Sequence, residues 1–195
     1  MSVHRFETTH LLPIPRAEAW EFFSSPKNLS RITPPEMDFT ITSPVPKEAY
    51  AGLIITYRVR PLFGVPVQWV TEITSVVDGV RFVDEQRVGP YAMWHHEHHF
   101  RDVPGGTEMR DIVHYAVPGG PLGDLLNQRL IARRVAEVFA YRRTVLNGLF
   151  GSLPGTPADE ATSGAGPSPG QTGSGKQEAP AMRPGLPCVS TFPAG

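Results

Sequence analysis

From Val3 to Val117 apolar residues recur at every second position in short runs, each ended by a turn signal, and at Pro118-Gly119-Gly120-Pro121 the period changes to 3.6. A period of two puts alternate side chains on opposite faces of a strand, whereas 3.6 puts an apolar stripe on a helix. The chain is therefore read as an antiparallel sheet with one face on a core, followed by one long helix. Strands are expected at Val3–Leu12, Met37–Ser43, Gly52–Arg60, Val67–Val77, Val80–Val88, Tyr91–Arg101 and Thr107–Val117. Asp78-Gly79 is a strong hairpin signal, and Pro61 to Pro66, Gly89-Pro90 and Pro104-Gly105-Gly106 supply further reversals. Short turns between antiparallel neighbours predict a seven-strand meander.

Pro13 and Pro15 end the first strand, and Pro15 to Ser25 reads as a short helix with Ala17, Trp20 and Phe23 on its apolar side beside Ala19 and Phe22. Pro26 to Ile32 gives a second brief helical turn, closed by Thr33-Pro34-Pro35 because a residue before proline avoids the α region. Leu122 to Phe150 is a helix of about 40 Å at 1.5 Å per residue. Its expected buried stripe is Leu122, Leu126, Leu130, Val135, Val138, Phe139, Val145, Leu146 and Leu149. Arg129, Arg133, Arg134, Arg142 and Arg143 fall mostly outside it, as a solvated face or as a contact for an anionic surface.

Composition narrows the function classes. Of 195 residues, 18 are basic and 19 acidic, and setting aside the stretch after Phe150 leaves 16 of each. Nucleic-acid binding rests on a basic excess, so a nucleic-acid partner is not expected. No apolar run reaches the roughly 18–20 residues of a membrane span, and Met1 to Thr9 lacks an apolar signal segment, so a cytoplasmic location is expected. The one cysteine, Cys188, lies in the tail, which excludes a disulfide, a cysteine zinc site or a buried thiol nucleophile from residues 1–150. The tail, 151–195, is dense in Gly, Pro, Ser and Thr without apolar periodicity, and reads as disordered. Leu186, Val189 and Phe192 in it could form a short docking motif. The domain organisation expected is thus a folded unit over 1–150 and a disordered tail.

A long apolar helix needs a sheet to lie against, and seven twisted strands curl around what they cover. The fold class is α+β, and the order β, α, α, six β, α is that of the helix-grip fold. With that order, the stretches PRAEAWEFFSSPKNLSRITPPEM, YAGLIITYRV, WVTEI, FVDEQRVGPYAMWHHEHHF, GTEMRDIVHYAVPGG and EVFAYRRTVLNGLF resemble the SRPBCC superfamily of START and Bet v 1-like domains. More narrowly they look like its bacterial cyclase/dehydrase-like or ligand-binding proteins. The resemblance covers nearly all of residues 1–150 and none of the tail. It implies a cavity between sheet and long helix, and no metal or other cofactor. It does not choose one function, because carriers, receptors, cyclases and oxygenase subunits share this scaffold.

Strand alternation sorts Trp94, His96, His98 and Phe100 onto one face, and their aromatic ends point that face inward. Phe82, Asp84, Gln86 and Val88 share a face, as do Trp69, Thr71 and Ile73, and Met109, Asp111, Val113 and Tyr115; Tyr57 joins the inward group. The candidate ligand-binding residues are Tyr57, Trp69, Thr71, Asp84, Gln86, Trp94, His96, His98, Asp111 and Tyr115. Buried polar groups must be paired or wet. Either Asp84 with His96 and Asp111 with His98 form a cross-strand lattice, or some of these groups orient a polar atom of an apolar guest.

A histidine tuned by an aspartate could also act as a general base in a cyclase, dehydrase or isomerase, which makes His96, His98, Asp84 and Asp111 the catalytic candidates. His96-x-His98 with Asp84 or Asp111 has the composition of a two-histidine, one-carboxylate metal site, against which stands the resemblance. His95, Glu97 and His99 face solvent, with Glu72 and Glu85 beside them, and Trp20, Trp69 and Trp94 are core. Leu62 and Phe63 could form a lid at a hairpin tip. Three functions follow: a carrier or sensor enclosing a small apolar or amphipathic molecule such as a lipid, quinone or polyketide-like aromatic; an enzyme of the cyclase type in the same cavity; or an interaction domain, of unknown protein partner, using the arginine face or the tail.

Overall fold

The computed structural model describes residues 2–61 and 64–153. Leu62 and Phe63, the proposed lid, and the tail from residue 154 lie outside the described residues. One sheet holds seven antiparallel strands: β1 (His4–Leu12), β2 (Thr40–Ile41), β3 (Ile54–Val59), β4 (Val67–Val77), β5 (Arg81–Val88), β6 (Met93–Val103) and β7 (Gly106–Ala116). Their order is β1-β7-β6-β5-β4-β3-β2. β2 to β7 form the meander, but β1 does not join it at β2. It pairs with β7 at the far edge, His4 opposite Tyr115 and Leu12 opposite Thr107. The segment between β1 and β2 crosses from one edge of the sheet to the other, and carries the short helix α1 (Arg16–Phe23) and 3₁₀ turns at Pro26–Ile32 and Pro35–Met37. Gly106 permits the β1–β7 closure, since a Cβ there would overlap the carbonyl oxygen of Leu12.

The second strand is shorter than the expected Met37–Ser43. Pro35–Met37 forms a 3₁₀ turn capped by Asp38, which takes a left-handed φ of 45°, and pairing begins only at Thr40. In β4 the register with β5 shifts between Val70 and Thr71 and between Ile73 and Ser75. Such irregularities bend a strand and increase its twist, and these two lie in the strand lining the cavity described below.

The C-terminal helical stretch runs α2 (Gly120–Leu126), a π turn (Asn127–Ile131) and α3 (Ala132–Phe150). The π turn resets which side chains face the sheet. The buried positions are Gly123, Asn127, Ile131, Val135, Phe139, Arg142 and Leu146, at steps of four, four, four, four, three and four. Leu122, 74% exposed, and Leu126 and Leu149 lie on the open side, so the expected stripe is corrected at these three positions. Arg142 is corrected in the opposite sense: read as part of a solvated face, it is 7% exposed. In α1 the buried residues are Ala19, Trp20 and Phe22, with Ala17 outside. Trp20 meets Phe82 and Phe100 edge-on at 5.9 and 5.5 Å, closing one end of the core. Among the described residues no helix is long and apolar enough to cross a membrane.

Candidate functional site

A cavity of about 190 Å³ lies between the concave face of the sheet, α1 with its 3₁₀ turns, and α3. Its wall is mostly aromatic and aliphatic, with Phe39, Ile55, Trp69, Phe82, Trp94 and Phe139 among the lining residues. Tyr57 and Thr71 reach it as a closed pair, their hydroxyl oxygens 2.7 Å apart. Alternation on β3 and β4 accounts for this, because Ile55, Tyr57, Trp69, Thr71 and Ile73 are all buried on one face.

The polar part of the wall is built by three neighbouring strands. Asp84 on β5 stands opposite His96 on β6, and His98 opposite Asp111 on β7. The straight cross-strand pairs expected from alternation are present, but the hydrogen bonds run diagonally. His96 Nε2 is 2.9 Å from Asp111 Oδ1, and His98 Nε2 is 2.9 Å from Asp84 Oδ2. The straight contacts are His96 Nδ1 to Asp84 Oδ2 at 3.4 Å and His98 Nδ1 to Asp111 Oδ1 at 2.8 Å. The last is close enough for strong attraction, yet His98 Nδ1 lacks the direction of a hydrogen bond to it. The two imidazoles lie 3.8 Å apart, and Phe82 stacks on His98 at 4.1 Å. From α3, Arg142 brings Nη1 to 3.9 Å from Asp111 Oδ2, and its guanidinium lies over Phe139.

Burial and charge push these groups apart. Burial alone would raise both carboxyls, but the imidazoles of His96 and His98 hold Asp84 below its ordinary value and Asp111 well below it. Burial depresses His96, and the neighbouring His98 charge adds to that effect, so it is held below its usual value despite both aspartates. His98 is also opposed by burial, but its contacts with Asp111 and Asp84 win and raise it. The two imidazoles, 3.8 Å apart, are thus driven in opposite directions, His96 toward its neutral form and His98 toward its charged form. Burial, with Asp84 adding to it, keeps Tyr57 protonated far above the ordinary phenol range.

Of the ten candidate ligand-binding residues, Tyr57, Trp69, Thr71, Asp84, Trp94, His96 and His98 line the cavity. Three do not. Gln86 is used by the β5–β6 turn, its Nε2 donating to the Tyr91 carbonyl at 2.7 Å while its Oε1 accepts from the Tyr91 amide. Tyr115 packs in a core cluster with Phe6, Val113 and Phe139, and Asp111, 1% exposed, sits behind the histidines. Phe139, Arg142, Phe82 and Tyr91 line the cavity without having been marked for it. The step of three from Phe139 to Arg142 was the available signal for the arginine. On the other face, read as solvated, His95 pairs with Glu85 at 2.9 Å, His99 with Glu97 at 2.8 Å and Arg87 with Glu72 at 2.6 Å, in a partly exposed lattice.

No family model and no curated protein matches the sequence. Solved structures do. Protein Ms6760 from Mycobacterium smegmatis is 15% identical, with a TM-score of 0.54 over 74% of this chain and 92% of that one. Ara h 8.0201 is 14% identical, with a TM-score of 0.51 over 75% of this chain and 99% of that one. The fold is the Bet v 1-like helix grip. A nucleoside-diphosphate sugar epimerase from Corynebacterium glutamicum is 26% identical, with a TM-score of 0.51 over 72% of this chain, and the match spans 28% of the epimerase. In Bet v 1-like terms, the cavity here lies where sheet and gripped helix meet.

Proposed function

We propose that the chain binds a small, mainly apolar molecule carrying one polar group, held in the cavity as a carrier or sensor would hold it, in the cytoplasm. The observation that carries this reading is the make-up of the wall: a mostly aromatic and aliphatic lining that includes the charged cluster Asp84, His96, His98 and Arg142, with Asn28, Thr33 and Arg134 also reaching it. Pockets of this make-up take their affinity from apolar burial and their orientation from a few polar groups. Size narrows the guest. A cavity of roughly 150 Å³ accommodates benzene, and drug-sized ligands occupy about 300–1,000 Å³. At about 190 Å³ the space suits one or two rings, in keeping with a small quinone or phenolic aromatic and not with a long-chain lipid. The match to part of an epimerase fits a module that also occurs beside other domains. The test is native mass spectrometry of the purified chain with and without 2-naphthol. A one-to-one adduct, diminished by Thr71→Trp or Phe139→Trp, is the expected result, and no adduct in a folded protein contradicts the reading.

A second reading is favoured by the separation of the two histidines. Groups whose environments drive their protonation apart are suited to acid and base roles. His96, held below its ordinary value, would take a proton with Asp111 orienting its ring, and His98, held above it, would polarise an oxygen. This is the cyclase or isomerase alternative. If turnover of a candidate substrate survives His96→Gln, that pair leaves the mechanism.

A further inference from the structure

The polar cluster has a front and a back. Asp84, His96 and His98 line the cavity, whereas Asp111 is buried behind them and does not reach it. At the back, one oxygen, Asp111 Oδ1, lies 2.9 Å from His96 Nε2 and 2.8 Å from His98 Nδ1. At the front, the other nitrogen of each ring turns to a single oxygen, Asp84 Oδ2, with His98 Nε2 at 2.9 Å and His96 Nδ1 at 3.4 Å. One donor atom from each of these three residues lies within 4.8 Å of the others. Paired strands hold them there, because His-x-His puts both rings on one face of β6 and Asp84 stands opposite His96 in register.

Histidines that bind a metal through one nitrogen almost always hold the other on a carboxylate or carbonyl, which fixes the ring and raises its basicity. Ligand atoms on one zinc, each about 2.0–2.2 Å from it, stand roughly 3.3–3.5 Å apart in a tetrahedron. The spacings of 2.9 and 3.4 Å to Asp84 are close to that. The ring nitrogens turned away from Asp111 thus converge on one oxygen of a residue that lines the cavity.

We propose that Asp84, His96 and His98 form a binding site for a divalent transition-metal ion of the zinc type, with Asp111 as the carboxylate behind the histidines and the cavity supplying the remaining coordination position. This departs from the expectation, carried by the family resemblance, of no metal. The proton between His98 Nε2 and Asp84 Oδ2 occupies the place the ion takes, so binding releases it to solvent without any redox change. Asp84 then ligates in place of accepting that hydrogen bond, and Asp111 keeps its contacts with both rings. The ion's open position faces the space proposed for the guest, so the proposal deepens the guest-binding reading: a phenolate, carbonyl or carboxylate oxygen of the guest would complete the coordination.

The test uses the full chain without an affinity tag, stripped with a chelator, dialysed, and titrated at neutral pH with Co²⁺ as a visible probe of zinc-type sites. The expected result is saturation at one equivalent, with d–d absorption bands that Zn²⁺ abolishes. Asp84→Asn and His98→Gln should weaken binding at least 100-fold, and Asp111→Asn by about 10–100-fold, the range for a ligand's supporting carboxylate. The double variant His95→Ala, His99→Ala should bind as the parent does. Should a cavity variant fail to fold, paramagnetic shifts of the His96 and His98 ring signals in the parent chain decide the point. No saturable Co²⁺ binding, or binding lost on replacing His95 and His99, overturns the proposal. Uptake of 2-naphthol by the stripped chain separates the two readings. Uptake without cobalt binding overturns the metal site and leaves the enclosed guest, and cobalt binding without uptake does the reverse.

Discussion

His96 and His98 are two residues apart on one strand, touch the same two aspartates and are equally buried, yet their protonation is driven in opposite directions. The difference lies in competition for charge. Once His98 is an imidazolium between Asp84 and Asp111, a second charge 3.8 Å away is opposed by both burial and repulsion. Imidazole nitrogen shifts followed over a pH series should therefore show His96 losing its proton at a lower pH than His98. The reverse order would contradict this. Asp111→Asn removes the partner common to both rings and to Arg142. Breaking a buried ion pair from one side costs about 3–5 kcal/mol, and chemical denaturation should show a loss of that order, with the His98 pKa falling. The half-exposed pair His95 and Glu85 gives the contrast, where His95→Ala should cost less than about 1 kcal/mol. The sequence made this cluster legible as a set of inward residues, because alternation fixes a face. It did not reveal which nitrogen meets which oxygen, since two opposed pairs and two diagonal pairs share one strand pattern.

At the scale of elements, α3 divides its buried side between core and cavity. Leu146 is wholly buried in the cluster around Trp20 and Met109 and does not line the cavity, whereas Phe139 does. Leu146→Ala should lower stability by about 2–5 kcal/mol and leave guest affinity per folded molecule unchanged, while Phe139→Ala should cost about 3–5 kcal/mol and also alter affinity. Equal effects of the two on affinity would mean that the cavity is not the binding place. The strands from Val67 onward were legible to within two residues at each end because alternation and Gly-Pro punctuation agree there. The helix was legible in extent, and in facing at Val135, Phe139 and Leu146 but not at Leu122, Leu126 and Leu149. A π turn at Asn127–Ile131 adds to the residues per turn, so a stripe counted at a constant 3.6 from Leu122 starts on the wrong side. Arg142 was missed for a related reason, since an arginine on a helix is ordinarily solvated and only a partner from another element, here Asp111 on β7, reveals its burial. The edge position of β1 was not legible either, because local turns determine pairings between consecutive strands only and the β1–β7 pairing joins the first and last strands in sequence.

For the whole molecule, the buried charges link stability to pH in three windows. Asp84 and Asp111 have folded pKa values below the ordinary 3.8, so their contribution is present above that value and is lost as pH falls through the folded values. His96 is depressed below 6.5, so the unfolded chain takes up a proton that the folded chain refuses, and stability declines as pH drops below about 6.5. His98 is raised above 6.5, so its contribution is complete below that value and is lost as pH rises through its folded pKa. Denaturation midpoints across pH should consequently fall on the alkaline side in the parent chain and less steeply in His98→Gln. An unchanged alkaline slope would show that His98 is not held charged. The enclosing fold itself rests on the grip of sheet on helix, and the central claim is that this grip surrounds a guest. The direct measurement is a two-dimensional NMR titration of the full chain with 2-naphthol. Saturable shifts concentrated at Tyr57, Trp69, Trp94, His96 and Phe139 are the predicted result. Shifts confined to the outer face around His95 and His99, or no saturable shifts in a folded chain, would contradict it.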